Sequence, residues 1–263
     1  MKIAGLDIGT TGCKLTVFDA DGRYLDSAYA GYLSARGEKE HEIDAEALMS
    51  SVLSVMETIG KKYPDIAGIG VTSFGETFVM TDSSGVPLHR AMLDTDSRGV
   101  GECRELEEKA GGRNIAAVTG LRPHEMYSLP KMMWMKKHEP EIYRRTAHIF
   151  LMEDFVVFRL TGQAQIDYSL ASRTMAFDIR TMKWSREMFD AAGINPELMS
   201  VPVPPGTPAG KITKEISSRT GLSEETVIVS VSHDQVAAAA GAGASDASRA
   251  VDGAGTVECI TVV

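Results

Sequence analysis

Three strand-like segments, 2–8, 14–19 and 23–30, fall at the very start of the chain, and the links between them are too short to hold a helix. Parallel neighbours need a crossover of about a dozen residues or more, so such a chain must begin as an antiparallel meander. The second link contains Asp21-Gly22, a strong hairpin pair, because both residues tolerate the positive φ of a tight turn. The first link is chemically richer. Asp7-Ile8-Gly9-Thr10-Thr11-Gly12-Cys13-Lys14 sets an acid at a strand end, then two glycines, two hydroxyls and a cation. An amphipathic helix follows, capped by Asp44, with Leu48, Val52, Val55, Met56 and Ile59 on one face and Pro64 beyond its end. Next come an apolar strand over 66–73 and another over 78–81 that runs into the turn Asp82-Ser83-Ser84-Gly85.

The middle of the chain is more helical, with segments predicted over 99–110, 129–138, 153–160 and 185–192. The run Val201-Pro202-Val203-Pro204-Pro205, with Pro208, predicts a loop crossing. Beyond it α/β alternation resumes: strand 210–212, helix 215–220, strand 227–231, a helix from Gln235 through the alanine run, and a hairpin around Gly253-Ala254-Gly255. Two α/β passages thus bracket a helical insertion. The fold class is α/β, a mixed sheet with flanking helices. The last residues, from Thr256 to Val263, still read as strand, so the chain is expected to continue.

The 263 residues carry 27 Lys+Arg against 36 Asp+Glu, a formal net charge of −9. Without a block of basic residues such a surface gives polyanions nothing to grip, which argues against nucleic acid or an anionic membrane as partner and leaves a small molecule. No apolar stretch approaches the ~20 residues of a membrane helix, and no signal-peptide apolar region follows Met1, so the expected compartment is the cytoplasm. Cys13, Cys103 and Cys259 lie far apart with no C-x-x-C and no paired His; they are expected as core filler. The P-loop, Rossmann, zincin and hydrolase-elbow patterns are all absent.

Three short segments can carry chemistry. In Asp7 to Lys14, inward N–H groups and hydroxyls can make a phosphate cradle, and a carboxylate beside it can hold Mg²⁺ through water; a plain turn of small residues is the other reading. In Ser232-His233-Asp234-Gln235 an apolar strand runs into a helix, where N–H groups and the dipole hold Asp234 ionised and ready to accept a proton, although a simple N-cap has the same pattern. Gly253-Ala254-Gly255-Thr256 is a second glycine turn, a candidate second phosphate loop or an ordinary hairpin.

Together these segments resemble the ribonuclease H-like, actin-like ATPase superfold, and within it the FGGY carbohydrate kinases. The most specific support is Met126 to His138, which is similar to the first of that family's two signatures, with Ser128, Lys131, Trp134 and His138 at the expected spacing. Asp94-Thr95-Asp96-Ser97-Arg98 resembles the family's W-N-D-x-R, Arg159 to Gly162 its R-L-T-G, and Asp167 to Ser172 its D-x-S-x-A-S. The resemblance covers essentially the whole chain but half of the family's length. It implies an N-terminal sugar-binding lobe over 1–263, an insertion over roughly 95–205, and a missing C-terminal lobe that carries most of the adenine pocket.

The resemblance also implies roles. The cofactors are ATP and Mg²⁺, with Asp7 positioning the metal, Gly9, Thr10, Thr11 and Lys14 forming the phosphate-facing loop, and Gly255 and Thr256 facing the γ-phosphate. Asp234 is the general base. For the sugar, polyol or sugar acid it points to Glu76, Gly75 and Asp96, with Gly75 leaving a gap where relatives place a side chain. Phe74 reads as cleft wall, and His233 and Lys131 as structural. An open face and an unfinished strand edge predict a possible homodimer of the isolated lobe. Two other functions fit less of the sequence: an actin-like ATPase without a sugar, and a catalytically silent sugar-binding module.

Overall fold

The structure is a computed structural model that describes residues 1–254 and 258–262. Its centre is a six-stranded mixed sheet of β1 (Lys2–Ile8), β2 (Gly12–Asp19), β3 (Tyr24–Gly31), β4 (Ile66–Ser73), β5 (Thr207–Lys211) and β6 (Val227–His233), in the order β5-β6-β4-β1-β2-β3. The meander is present as expected: β1–β2 and β2–β3 are antiparallel, whereas β1–β4 and β4–β6 are parallel.

Alternation along β1 explains why the sheet is covered on one side. Ala4, Leu6 and Ile8 are buried, whereas Ile3, Gly5 and Asp7 face outward. Onto the apolar side pack α1 (Ala45–Gly60), α2 (Met152–Thr161) and α3 (Lys214–Thr220). The Asp44 carboxylate caps α1 by accepting the N–H groups of Glu46 and Ala47. Leu48, Val52, Val55, Met56 and Ile59 are all buried, each contributing about 2 kcal/mol of apolar burial.

A second body has its own core, built around Leu106, Ile115, Leu129, Met132, Phe177 and Phe189. It is broader than the expected insertion over 95–205. Its five-stranded sheet takes Ser34–Arg36, His41–Ile43, Phe78–Thr81 and Ala91–Met92 from before that range and only His148–Leu151 from within it. The expected proline loop is also corrected: Val201–Val203 is a strand, parallel to Gln165–Asp167. A three-residue pair at an edge needs few N–H groups, so Pro202 is tolerated.

Helix α4 (Asp234–Gly241) follows β6 without a linker. Strands Ala250–Ala254 and Glu258–Val262 form the expected antiparallel pair, and Gly255 and Thr256 lie outside the described residues. No described helix is long and apolar enough to cross a membrane. The topology gathers strand ends: Ile8 and His233 both pair with Ser73, so three parallel strands finish side by side, where open α/β sheets place their ligands.

Candidate active site

Each of those three strands ends at or beside an acid. Asp7 is the penultimate residue of β1, Asp234 directly follows β6, and Glu76 lies just past β4. The turn after β4 is pinned at its start by the Phe74 N–H, which donates to the Ile8 carbonyl at 3.0 Å. Glu76 adopts a left-handed φ of 61°, a strained backbone for a residue with a side chain. Its carbonyl accepts the Ser128 hydroxyl at 2.8 Å, and its carboxylate Oε1 accepts Nε of Arg173 at 2.5 Å and also Nη2. Burial raises the Glu76 carboxyl above the ordinary range, and the Arg173 charge works against that rise.

Around this turn lies a cavity of about 450 Å³ lined by Phe74, Glu76, Asp94, Arg173, His233 and Asp234 among others. A second cavity of about 380 Å³ is lined by Asp7, Thr72, Gln235 and again Asp234. Asp234 therefore stands on the wall between two spaces. Its Oδ1 accepts the Gln235 N–H at 2.6 Å. Burial outweighs that N–H, the charges of Asp7 and Glu76 add to it, and the carboxyl is pushed up to about 6, above the ordinary range but still mostly ionised at neutral pH. Asp7 is likewise raised by burial, against the opposing charge of Lys14, its partner in register across β1 and β2.

The Gly9 to Gly12 turn sits beside Asp7. Gly9 N–H donates to the Gly12 carbonyl at 2.9 Å, and a Cβ on Gly12 would come within 2.4 Å of the Tyr29 hydroxyl, so the turn closes only with glycine there. Thr10 lines the larger cavity and Thr11 is exposed.

The expected gap at Gly75 does not exist. A Cβ there would meet the His233 ring at 2.9 and 3.0 Å, so the imidazole occupies that space. His233, expected as structural, lines the cavity with Nε2 at 3.4 Å from Asp234 Oδ1; burial and Arg173 lower it to about 4, leaving it neutral. Gly75→Ala should therefore displace the His233 ring while the melting temperature changes little. A structure of the variant with the imidazole unmoved would show that the backbone gives way instead.

Asp96 is also placed differently from expectation. It is fully buried, accepts Nε and Nη2 of Arg98 and the His41 N–H, and does not line the cavity; Asp94 does. The signature residues brace this neighbourhood. Lys131 Nζ, fully buried, donates to the carbonyls of Leu93 at 2.7 Å and Met126 at 2.8 Å, while Arg98 lies over Trp134, which stacks on His138. Cys13 and Cys103 are buried as expected, but Cys259 is half-buried and reaches the cavity. Sequence reasoning missed Arg173; the one available signal is that it directly follows the Asp167 to Ser172 motif.

The profile of the N-terminal domain of the FGGY family of carbohydrate kinases matches residues 2–241. This chain belongs to that family. Xylulose kinase of Bacillus subtilis (strain 168) is 30% identical over 263 residues, an alignment covering 97% of this chain and 52% of that protein. Gluconokinase of Bacillus licheniformis is 27% identical over 238 residues, covering 88% of this chain and 46% of that protein. Among solved structures, xylulose kinase from Rhodospirillum rubrum superposes with a TM-score of 0.94 at 22% identity, covering 100% of this chain and 55% of the other. Glycerol kinase from Plasmodium falciparum with ADP gives 0.90 at 23% identity, covering 98% and 53%. These structural likenesses establish the fold, which the FGGY lobe shares with about half of each of these proteins. The FGGY chain spans about half the length of the curated relatives it matches.

Proposed function

We propose that this FGGY lobe binds a neutral sugar or polyol and presents one of its hydroxyls to ATP, with Asp234 as the general base. The observation that carries the reading is that Asp234 borders both cavities at once. A hydroxyl lodged beside Glu76 and His233 has a proton acceptor on the side that faces the second cavity. Glu76, Asp94 and Asp234 set three carboxylates around the sugar cavity against one guanidinium, Arg173, already paired with Glu76. That balance repels an added carboxylate, which favours a neutral acceptor over a sugar acid.

The residues fit Mg·ATP in kind. The carboxylates of Asp7 and Asp234 face one cavity with Thr72, and the Gly9 to Gly12 turn lies beside Asp7, a setting that suits a hydrated Mg²⁺ held mainly by phosphate oxygens. When bound, Mg·ATP supplies the electrophilic γ-phosphoryl group and neutralises its charge. This chain's own residues do the rest: Glu76 and Arg173 fix the acceptor, Phe74 keeps water from one wall, and Asp234 takes the hydroxyl proton. A second lobe, matching the other half of the relatives, completes the nucleotide pocket.

The base must be ionised to work. Because its carboxyl sits at about 6, kcat/KM in the full-length protein should fall tenfold per unit as pH drops below about 6 and level off above it. A profile flat down to pH 4.5 would remove Asp234 from the proton transfer.

A further inference from the structure

Strand β5 pairs with β6 only as far as Ser230, so the N–H groups of Val231 and His233 point to a side where no strand lies. A side chain of α2 takes the first and one of the second body the second. Glu153 Oε1 accepts the Val231 N–H at 2.8 Å, and the Ser169 hydroxyl oxygen accepts the His233 N–H at 2.8 Å. Ser169 in turn donates its proton to Asp167 Oδ1 at 2.6 Å. Asp167 is fully buried, receives the Ser169 and Leu170 N–H groups on that same oxygen, and among the described residues its Oδ2 has no partner. A buried carboxylate oxygen with no hydrogen-bond partner is costly and calls for a reason.

We propose that Asp167 and Ser169 are positioning residues for Asp234. A hydroxyl whose proton is committed to a carboxylate turns a strengthened lone pair toward its other neighbour. That neighbour is the backbone of His233, the residue immediately before the base. The motif at Asp167 to Ser172 thereby ties the second body to the end of β6, and fixes where Asp234 stands on the wall between the cavities. Glu153 does the same two residues upstream. Burial, with the charges of Asp167 and Asp154, pushes the Glu153 carboxyl well above its ordinary range, and burial raises Asp167 as well, against its hydrogen bonds from Ser169.

This inference rests on Asp234 being the base, and the test separates the two. In the full-length protein, Ser169→Ala, Ser169→Thr and Asp234→Asn are compared by steady-state kinetics and thermal melting. Ser169→Ala should lower kcat by at least about tenfold, since small misplacements of a catalytic group are costly. Ser169 also lines the larger cavity, so sugar KM shifts too, but by less than kcat, and Ser169→Thr, which keeps the hydroxyl, should recover most of the rate. If the alanine variant does not fold, Ser169→Cys carries the same test, since sulfur keeps the volume but is a poor acceptor. Unchanged kcat, or a loss confined to KM, overturns the inference while an inactive Asp234→Asn leaves the base assignment standing. Full activity in Asp234→Asn overturns both.

Discussion

Asp234→Asn in the full-length protein lowers kcat for sugar phosphorylation by about two to four orders of magnitude, the range over which a positioned general base acts. Sugar KM stays near its wild-type value. The amide keeps the shape of the carboxylate and the hydrogen bond from the Gln235 N–H, so the wall between the cavities persists. What disappears is the lone pair that takes the proton. An interaction needed only in the transition state is lost from kcat and from kcat/KM equally. Wild-type kcat in this variant, measured as sugar-dependent ADP release, would mean that the acceptor hydroxyl loses its proton elsewhere.

Asp7→Asn gives the second large effect, on the nucleotide side. Asp7 lines the smaller cavity together with Asp234 and lies across from Lys14 in register. A neutral amide holds metal-bound waters poorly, and carboxylates of that kind are worth about 10–100-fold in metal affinity. The Mg·ATP requirement rises accordingly, while calorimetric sugar affinity without nucleotide changes less than twofold. An equal loss of sugar affinity would place Asp7 in the sugar site instead.

Asp7 and Asp234 were legible because each stands at the end of a strand that alternation or apolar continuity reveals, whereas Glu76 was reached only through the family resemblance. Arg173, Asp94 and His233 were not legible, since their roles exist only once distant segments meet. Arg173 reaches Glu76 across 97 residues of sequence. Asp94 and Asp96 differ little as sequence, yet the turn aims one at the cavity and the other at Arg98. Gly75 reads as an absence until the imidazole of His233 is seen filling it. The meander and α1 were readable from periodicity and a capping Asp, whereas strands of two or three residues such as Ala91–Met92 carry too short a pattern to register. The signature at Met126 to His138 pointed to this neighbourhood for a different physical reason: Ser128 and Lys131 hold the backbone carbonyls of Glu76 and Met126, which line the cavity, and of Leu93, next to Asp94.

Transfer of label from γ-labelled ATP to sugars by the full-length protein tests the reading most directly, with neutral ketoses and polyols run beside gluconate. The expected result is a labelled phosphate ester of a neutral sugar, formed in step with ADP and only when that sugar is present. ADP released at the same rate without any sugar, or sugar bound with no label transferred, would contradict it.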